Sequence, residues 1–202
     1  MRYAFIDVQN TMGTVNQLLN FSIDWGKLIR HLKNEKWDCA KVFYYKGRRK
    51  GEEEDKRIQD LENLGYIVRS KLTHIHPDKT FTQKGFCQKC GAETESKYII
   101  KGDHKSNCDV ELTVDALKIA YANNSEKEFL IFTGDGDFRF LIEALIEKGI
   151  KVIIISNTKK NSNGDKRFST RLRDLIKQEE NKGKSGLVDF IDINDWKQSI
   201  KI

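Results

Sequence analysis

Short apolar runs alternate with longer segments whose apolar residues recur at helical spacing along most of the chain. The short runs predict six strands, which we place at residues 3–7, 41–45, 66–72, 129–132, 152–155 and 187–191. Three of them (VFYY, FLIF and VIII) have no polar alternation, which is typical of strands buried on both faces. We therefore expect the sheet to be covered on both sides.

The segments between these strands predict helices with recognisable ends. Ser22 and Asp24 are candidate caps for a helix that carries Trp25, Leu28, Ile29 and Leu32, and Gly65 and Gly149 follow two further helices. We expect helices at 52–64, 109–122, 138–148, 170–177 and from residue 195. The expected inward faces are Ile58, Leu61 and Leu64 in the first of these and Val110, Val114, Leu117 and Tyr121 in the second.

Strands that alternate with helices predict an α/β fold with a mostly parallel central sheet between helical layers. Because parallel crossovers are right-handed, the loops that lead from strand to helix gather at one end of the sheet. The length of 202 residues suits one domain, 1–202, with a small insertion.

Residues 73–98 interrupt the alternation and form the expected insertion, which holds the chain's single proline, Pro77. The segment contains His74-Ile75-His76 and Cys87-Gln88-Lys89-Cys90-Gly91. C-x2-C followed by glycine is typical of a zinc knuckle, and His at i and i+2 of an extended segment point the same way. We expect a structural Zn²⁺ held by His74, His76, Cys87 and Cys90, with His104 and Cys108 as substitute ligands. The alternative is two free cysteines and two incidental histidines.

Composition excludes several classes of protein. No apolar run approaches the ~20 residues of a membrane helix, and MRYAFIDVQN lacks the apolar core of a signal peptide. Four cysteines without an export signal favour reduced thiols or metal ligands over disulfides. We expect a cytoplasmic protein without a membrane partner. The net charge of +6 permits a nucleic-acid partner without proving one, and both monomer and homodimer remain open.

Acidic residues follow the predicted strands. Asp7 ends the first strand, Asp135 and Asp137 follow the fourth, and Asp109 opens a helix. In an open α/β sheet, ligands bind beyond the carboxyl ends of the strands. Clustered carboxylates select Mg²⁺ or Mn²⁺, which can clamp a phosphodiester. The alternative is helix capping and turn formation.

Basic residues follow two strands at the same expected rim. The first group is Lys46, Arg48, Arg49 and Lys50, and the second is Lys159, Lys160, Lys166, Arg167, Arg171 and Arg173. Tyr44, Tyr45, Phe81 and Phe86 are candidate platforms for nucleic-acid bases. These patterns predict a site for single-stranded nucleic acid, and the alternative is an ordinary solvated surface.

The segments FIDVQN (5–10), KSNCDVELTVDAL (105–117), FTGDGDFRFLIEALIEKGIKVIIIS (132–156) and RFSTRLRDL (167–175) resemble the NYN domain family, the LabA-like branch of the PIN-related nucleases. The resemblance implies a PIN-like three-layer α/β/α sandwich and metal-dependent cleavage of RNA. It carries metal-ligand roles onto Asp7, Asp109, Asp135 and Asp137. It makes Asn10 a support for Asp7 or the substrate phosphate, and Asp115 a second motif acid. Val8, Thr133 and Cys108 depart from the usual pattern.

Three functions compete. The leading hypothesis is a Mg²⁺- or Mn²⁺-dependent ribonuclease in which water attacks phosphorus in line and leaves a 5′-phosphate. The second is a non-catalytic RNA-binding module with a structural cation. The third is a phosphohydrolase of the haloacid-dehalogenase kind, which needs D-x-D-x-[TV] after the first strand. Asp7 is followed by Val8, Gln9 and Asn10, so the second acid of that motif is missing.

Overall fold

The computed structural model places most of the chain in one folded body and a projecting ribbon. It describes residues 1–48, 50–75, 77–100, 104–105, 108–122, 126–160, 164, 167–183 and 186–202. No helix within these ranges is long and apolar enough to cross a membrane.

A six-stranded sheet forms the centre of the body. Its strands are β1 (Arg2–Asp7), β2 (Cys39–Arg48), β3 (Ile67–Leu72), β8 (Glu128–Phe132), β9 (Lys151–Ser156) and β10 (Val188–Asp192). The order across the sheet is β10-β9-β8-β1-β2-β3, and every pairing in it is parallel. The strand order reverses between β1 and β8, where an α/β sheet opens a crevice for ligands.

Helices cover the sheet on both faces, as expected. The chain forms α1 (Val8–Leu18), α2 (Trp25–Leu32), α3 (Glu52–Asn63), α4 (Asp109–Tyr121), α5 (Arg139–Glu147), α6 (Thr170–Glu180) and α7 (Lys197–Ile200). Side chains of α4, α5 and α6 pack with Phe5 and Phe129 on one face of the sheet. Side chains of α1, α2 and α7 pack with Ile6 and Phe132 on the other face, which gives three layers.

Helix α1 is absent from the sequence-based prediction. Its four buried residues are Val8, Thr11, Thr14 and Val15, so half of its inward face is polar and the apolar periodicity is weak. The helix begins because Asp7 caps it and accepts a hydrogen bond from the backbone N–H of Asn10 (3.1 Å).

The predicted inward faces of two helices are right only in part. In α3, Ile58 and Leu61 are half-buried as predicted, whereas Leu64, which follows the helix, is exposed. In α4, Leu117 packs against the core as predicted, but the buried residues are Leu112, Ala116 and Ala120, whereas Val110, Val114 and Tyr121 are exposed. The alanines allow α4 to lie close to the sheet, and Asp115 of this helix contacts β2 and β3.

The segment after β3 forms a two-stranded antiparallel ribbon, which is absent from the sequence-based prediction. Strands β5 (Lys79–Phe86) and β6 (Glu93–Ile100) pair along their whole length. At the base, β4 (His74–Ile75) pairs with β7 (His104–Lys105). Ile75 is the partner of His104 in this pair, and Lys79 is the partner of Ile100 in the longer pair. Both pairs are antiparallel and have the same register.

Candidate metal and nucleic-acid site

Asp7 lies at the carboxyl end of the central strand β1, beside the point where the strand order reverses. Burial raises the pKa of this carboxyl to about 6, and the charges of Asp109 and Asp135 add to the rise. Hydrogen bonds from the Asn10 backbone and the Thr133 hydroxyl oppose the shift. Asp109 and Asp135 are therefore each close enough to Asp7 for their charges to oppose its ionisation.

Thr133 connects two of these acids. Its hydroxyl donates to Asp7 Oδ2 (3.3 Å) and accepts the backbone N–H of Asp135 (3.1 Å). One side chain thus orients the end of β1 and the turn after β8 at the same time. The threonine that stands out in the sequence as a departure from the family pattern is a structural link of the site.

The Asn10 side chain connects α1 to the same turn. Its carbonyl oxygen accepts the backbone N–H of Gly134 (2.7 Å), while its own backbone N–H binds Asp7. The bond to Asp7 thus comes from the Asn10 backbone, whereas the side chain binds Gly134. These contacts place the side chain against the β8 turn instead of directly on the Asp7 carboxylate.

Asp109 begins α4, directly after the buried Cys108. Burial raises the pKa of the Cys108 thiol to about 11, and Glu111, Asp109 and Asp7 are acids that add to this rise. A thiol with a raised pKa stays protonated at neutral pH. Cys108 therefore packs as an apolar group beneath the acids.

Asp135 and Asp137 lie on a short 3₁₀ turn over Gly136–Phe138. Asp135 caps this turn by accepting the backbone N–H of Asp137 (3.0 Å). Asp137 is highly exposed, and its Oδ1 lies 3.8 Å from a guanidinium nitrogen of Arg171. Asp109 and Asp135 are the acids whose charges raise the pKa of Asp7. The site therefore has an inner part with Asp7, Asp109 and Asp135 and an outer acid, Asp137.

Two glycines let the segment 167–169 pack directly on this turn. A Cβ on Gly134 would overlap the carbonyl oxygen of Arg167, and one on Gly136 would overlap the Ser169 hydroxyl. Instead, the Ser169 backbone N–H donates to the Gly134 carbonyl (2.8 Å). This close approach brings Arg167 and Arg171 beside the acids.

A hollow of about 500 Å³ opens over the acidic turn and is lined by residues of three segments. These are Asn10, Gly134, Asp135, Gly136, Asp137, Arg167, Phe168, Ser169 and Arg171. A second hollow of about 600 Å³ lies across α1, where Lys46 and Arg57 contribute to its lining. Arg167 lines both, so the hollows adjoin at this residue.

The donor atoms of the inner acids suit a hard cation, since carboxylate oxygens are the ligands that Mg²⁺ and Mn²⁺ prefer. Within the described ranges, no three His, Cys, Asp or Glu side chains are grouped so that they could hold a metal ion. Mg²⁺ is commonly bound by one or two carboxylates together with waters and substrate phosphate. The inner acids fit that kind of site better than a cage made entirely of protein ligands.

Asp115 has a different place from the other motif acids. Its Oδ2 accepts from the Tyr45 hydroxyl (3.2 Å) and from Arg69 Nε (3.0 Å). The acid therefore ties α4 to strands β2 and β3.

The first predicted basic group is largely paired with acids of α3. Lys46 Nζ donates to Glu54 (2.7 Å), and Arg48 forms an ion pair with Asp55. Lys50 is exposed, and Arg49 lies outside the described residues. Arg57 was not among the predicted basic residues, but it also lines the second hollow. In the sequence it is one of many charged residues of an amphipathic helix, so nothing there indicates that it lies near the site.

The second basic group lies nearer to the acids. Arg167 contacts the side chain of Gln17 on α1, and Arg171 lies beside Asp137. Lys159 and Lys160 are exposed after β9, whereas Lys166 lies outside the described residues. Arg167 and Arg171 are therefore the predicted basic residues that the fold brings next to the acidic turn.

The predicted aromatic platforms divide into two pairs. Tyr44 and Tyr45 are buried in the core at 3% and 2% exposure, so they cannot stack on bases and that prediction is wrong. Phe81 and Phe86 are exposed on the ribbon, and Phe81 stacks on Tyr98 with ring centroids 5.7 Å apart.

The predicted zinc ligands are not brought together in the part of the chain that the structure describes. Cys87 and Cys90 lie in the turn at the tip of the ribbon, whereas the backbones of His74 and His104 lie at its base. His76 is outside the described residues. Cys108 lies at the start of α4, where Asp7 contributes to its pKa, so it does not join the pair at the tip.

Comparison with known proteins gives consistent results. The model of the NYN domain matches residues 3–174. The Low amplitude and bright protein LabA of Synechococcus elongatus is 23% identical over 153 residues, which cover 75% of this chain and 71% of LabA. The crystal structure of a Vibrio parahaemolyticus protein of unknown function superposes with a TM-score of 0.60 at 18% identity. The superposition covers 100% of this chain and 95% of the Vibrio chain. This last likeness concerns the fold alone.

Proposed function

The chain belongs to the NYN domain family, and we propose that it is a ribonuclease that uses Mg²⁺ or Mn²⁺ to cleave RNA phosphodiester bonds. The family is related to the PIN nucleases, which makes a nuclease or RNA-directed role the natural starting point. In this proposal, residues 1–202 form one nuclease domain, with 73–98 as an inserted segment.

One observation carries the proposal: a buried carboxylate faces two further acids in the crevice where the strand order reverses. Ionising Asp7 beside Asp109 and Asp135 is unfavourable without a compensating positive charge. A fold does not gain stability from such a group, so its place in a ligand-binding crevice favours a functional reason.

Asp7, Asp109 and Asp135 are the candidate ligands, one or two of which would bind the cation together with waters and substrate phosphate, and Asp137 lies at the outer edge. When bound, a divalent ion supplies charge that neutralises the phosphodiester and lowers the pKa of an attacking water. Thr133 and Asn10 keep Asp7 and the β8 turn in position through the hydrogen bonds described above. Attack on phosphorus in line with the leaving oxygen yields a 5′-phosphate and a 3′-hydroxyl.

The flanking cations would hold the RNA backbone. Arg167 and Arg171 line the hollow that contains Asp135 and Asp137, so a phosphate there meets positive charge next to the acids. Lys46 and Arg57 extend positive charge into the adjoining hollow, where Glu54 partly neutralises both. Lys159, Lys160, Arg48, Arg49 and Lys50 are the further proposed RNA contacts.

The test combines cleavage and binding of labelled RNA, with DNA as a comparison substrate. Asp135→Asn should abolish cleavage in Mg²⁺ or Mn²⁺ and leave metal-free RNA affinity equal or slightly higher, because a charge that repels phosphate is removed. Asp60→Asn, on the exposed surface of α3, is the matched control and should cleave at the wild-type rate.

The binding side of the site is tested by Arg167→Ala together with Arg171→Ala. RNA affinity should fall, and the slope of log K against log[salt] should flatten by about one unit per lost phosphate contact. If Asp135→Asn cuts RNA as fast as the wild type, this rim is not the catalytic site. If the wild type does not cleave RNA with either metal but still binds RNA in a salt-dependent way, the chain is a non-catalytic RNA-binding module, which is the alternative function.

A further inference from the structure

The tip of the ribbon has the geometry of one half of a zinc site. The Cys87 backbone N–H donates to the Ala92 carbonyl (2.8 Å), the Gly91 N–H donates back to the Cys87 carbonyl (2.9 Å), and Gly91 has a φ of +70°. The Cys87 sulfur accepts hydrogen bonds from the backbone N–H groups of Lys89 and Cys90, and these bonds hold the pKa of this thiol below its usual range. The Cys90 side chain also contacts the Cys87 sulfur, so the two thiols face each other.

This pair supplies two ligands, whereas a structural Zn²⁺ takes four in a tetrahedron. Strand β5 alone has eight residues, which at ~3.4 Å per step separate the base of the ribbon from its tip by roughly 24 Å. The backbones of His74 and His104 belong to the β4–β7 pair, which lies at the end of β5 and β6 away from the tip. Among the described residues, no third ligand accompanies the two thiols.

The ribbon also leaves apolar side chains uncovered. Phe86, next to Cys87, is 71% exposed, and Ile99 and Ile100 are 64% and 55% exposed on the partner strand. An isolated two-stranded ribbon is at best marginally stable in water. A second protein surface at the tip would supply the two missing zinc ligands and cover the exposed Phe86.

We propose that Cys87 and Cys90 bind Zn²⁺ together with the same two cysteines of a second copy of this chain, so that a four-thiolate site joins two chains at their ribbon tips. A two-fold axis through the metal makes the contact self-complementary. Each Zn²⁺ replaces four thiol protons, which are released to the solvent, and no oxidation state changes.

Charge and shape at the tip suit this arrangement. Zn²⁺ with four thiolates carries a net charge of −2, and the exposed Lys89 between the two cysteines brings one positive charge from each chain. Cys90 is exposed and Cys87 is half-buried, so both sulfurs can be reached by a partner. The two copies of Phe86 would come together beside the metal and lose their exposure to water.

The experiment measures zinc content and mass on the full chain, purified without chelator and supplied with Zn²⁺. Elemental analysis with native mass spectrometry should find one Zn²⁺ per two chains in a dimer, and a strong chelator should convert the dimer to a monomer that regains the dimer when Zn²⁺ is restored. With Co²⁺ as the probe, the thiolate-to-metal absorption should correspond to four thiolates per ion.

Two variants separate this site from one within a single chain. Cys87→Ser with Cys90→Ser should abolish both Zn²⁺ uptake and the dimer. His74→Ala with His76→Ala should leave one Zn²⁺ per two chains and the dimer unchanged. One Zn²⁺ per chain, no uptake of Zn²⁺, or a dimer that survives loss of both thiols would each overturn the proposal. None of these readouts depends on RNA cleavage, so the ribonuclease proposal stands or falls separately.

Discussion

Replacing Asp7 with Asn should make the metal-free protein more stable at neutral pH, although it removes a residue of the proposed catalytic site. The reason is that burial, with the charges of Asp109 and Asp135, makes the ionised form of Asp7 unfavourable in the folded state. Asn keeps the shape and an oxygen that can accept the Asn10 N–H, so the cap of α1 is retained.

The size of the effect follows from the pKa. The carboxyl has a pKa of about 6 in the folded chain against an ordinary 3.8, and a rise of about two units corresponds to ~3 kcal/mol. Below the ordinary pKa the group is protonated in both states and costs nothing. As the pH rises from about 4 to about 6 the unfolded chain loses its proton first, so folding stability falls, and above that range the whole penalty is present. We expect Asp7→Asn to gain about 1–3 kcal/mol at pH 7.5 and little at pH 4.

Urea unfolding in a chelating buffer at both pH values measures this difference. Asp115→Asn is the matched control: this acid has favourable partners in Arg69 and Tyr45, so its neutralisation should destabilise the protein at pH 7.5. Mg²⁺ at about 100 times its Kd should then stabilise the wild type by ~2.7 kcal/mol and the Asp7→Asn variant by less. An Asp7→Asn protein that is less stable than the wild type at pH 7.5 without metal would refute the reasoning.

Two further substitutions test how the site is held. Thr133→Val removes the hydroxyl that donates to Asp7 and accepts the Asp135 N–H. It should lower the free energy of unfolding by about 1–3 kcal/mol and move the pH dependence of stability to higher pH. Thr133→Ser keeps the hydroxyl and should restore both properties. Gly134→Ala places a Cβ against the Arg167 carbonyl oxygen and should lower the free energy of unfolding, measured in urea, by about 1–3 kcal/mol. The control is Gly85→Ala, whose Cβ meets Thr94 Oγ1 at an ordinary 3.5 Å and should leave the stability nearly unchanged. Equal effects of the two substitutions would contradict the packing argument.

Local sequence patterns determined the six strands of the central sheet, most helices and the positions of acids at strand ends. Buried strands such as Phe129–Phe132 are readable because a strand covered on both faces must be apolar throughout. The parallel order then brings Asp7 and the turn after β8 to the same edge, since the carboxyl ends of parallel strands share one rim. The Cys87–Gly91 turn is also local, because its hydrogen bonds join residues a few positions apart.

The tertiary structure decided which side of each element faces which neighbour. In α4, Leu112, Ala116 and Ala120 face the core, and Asp115 contacts Tyr45 and Arg69, which are distant in sequence, so the spacing of Val110, Val114 and Tyr121 indicated the wrong face. Helix α1 had no readable apolar signal because half of its buried residues are threonines, and one of them, Thr11, contacts the Phe132 carbonyl (3.4 Å), which is distant in sequence.

The sequence also did not predict which charged residues pair or how far apart the histidines and cysteines lie. Lys46 and Arg48 look like a free basic cluster until α3 brings Glu54 and Asp55 against them. Histidines close to the cysteine pair in sequence are separated from it because two strands of a ribbon extend the chain by ~3.4 Å per residue. Periodicity and spacing record the environment of a residue within its own element, whereas its partners depend on how distant elements pack, and that packing exists only in the folded chain.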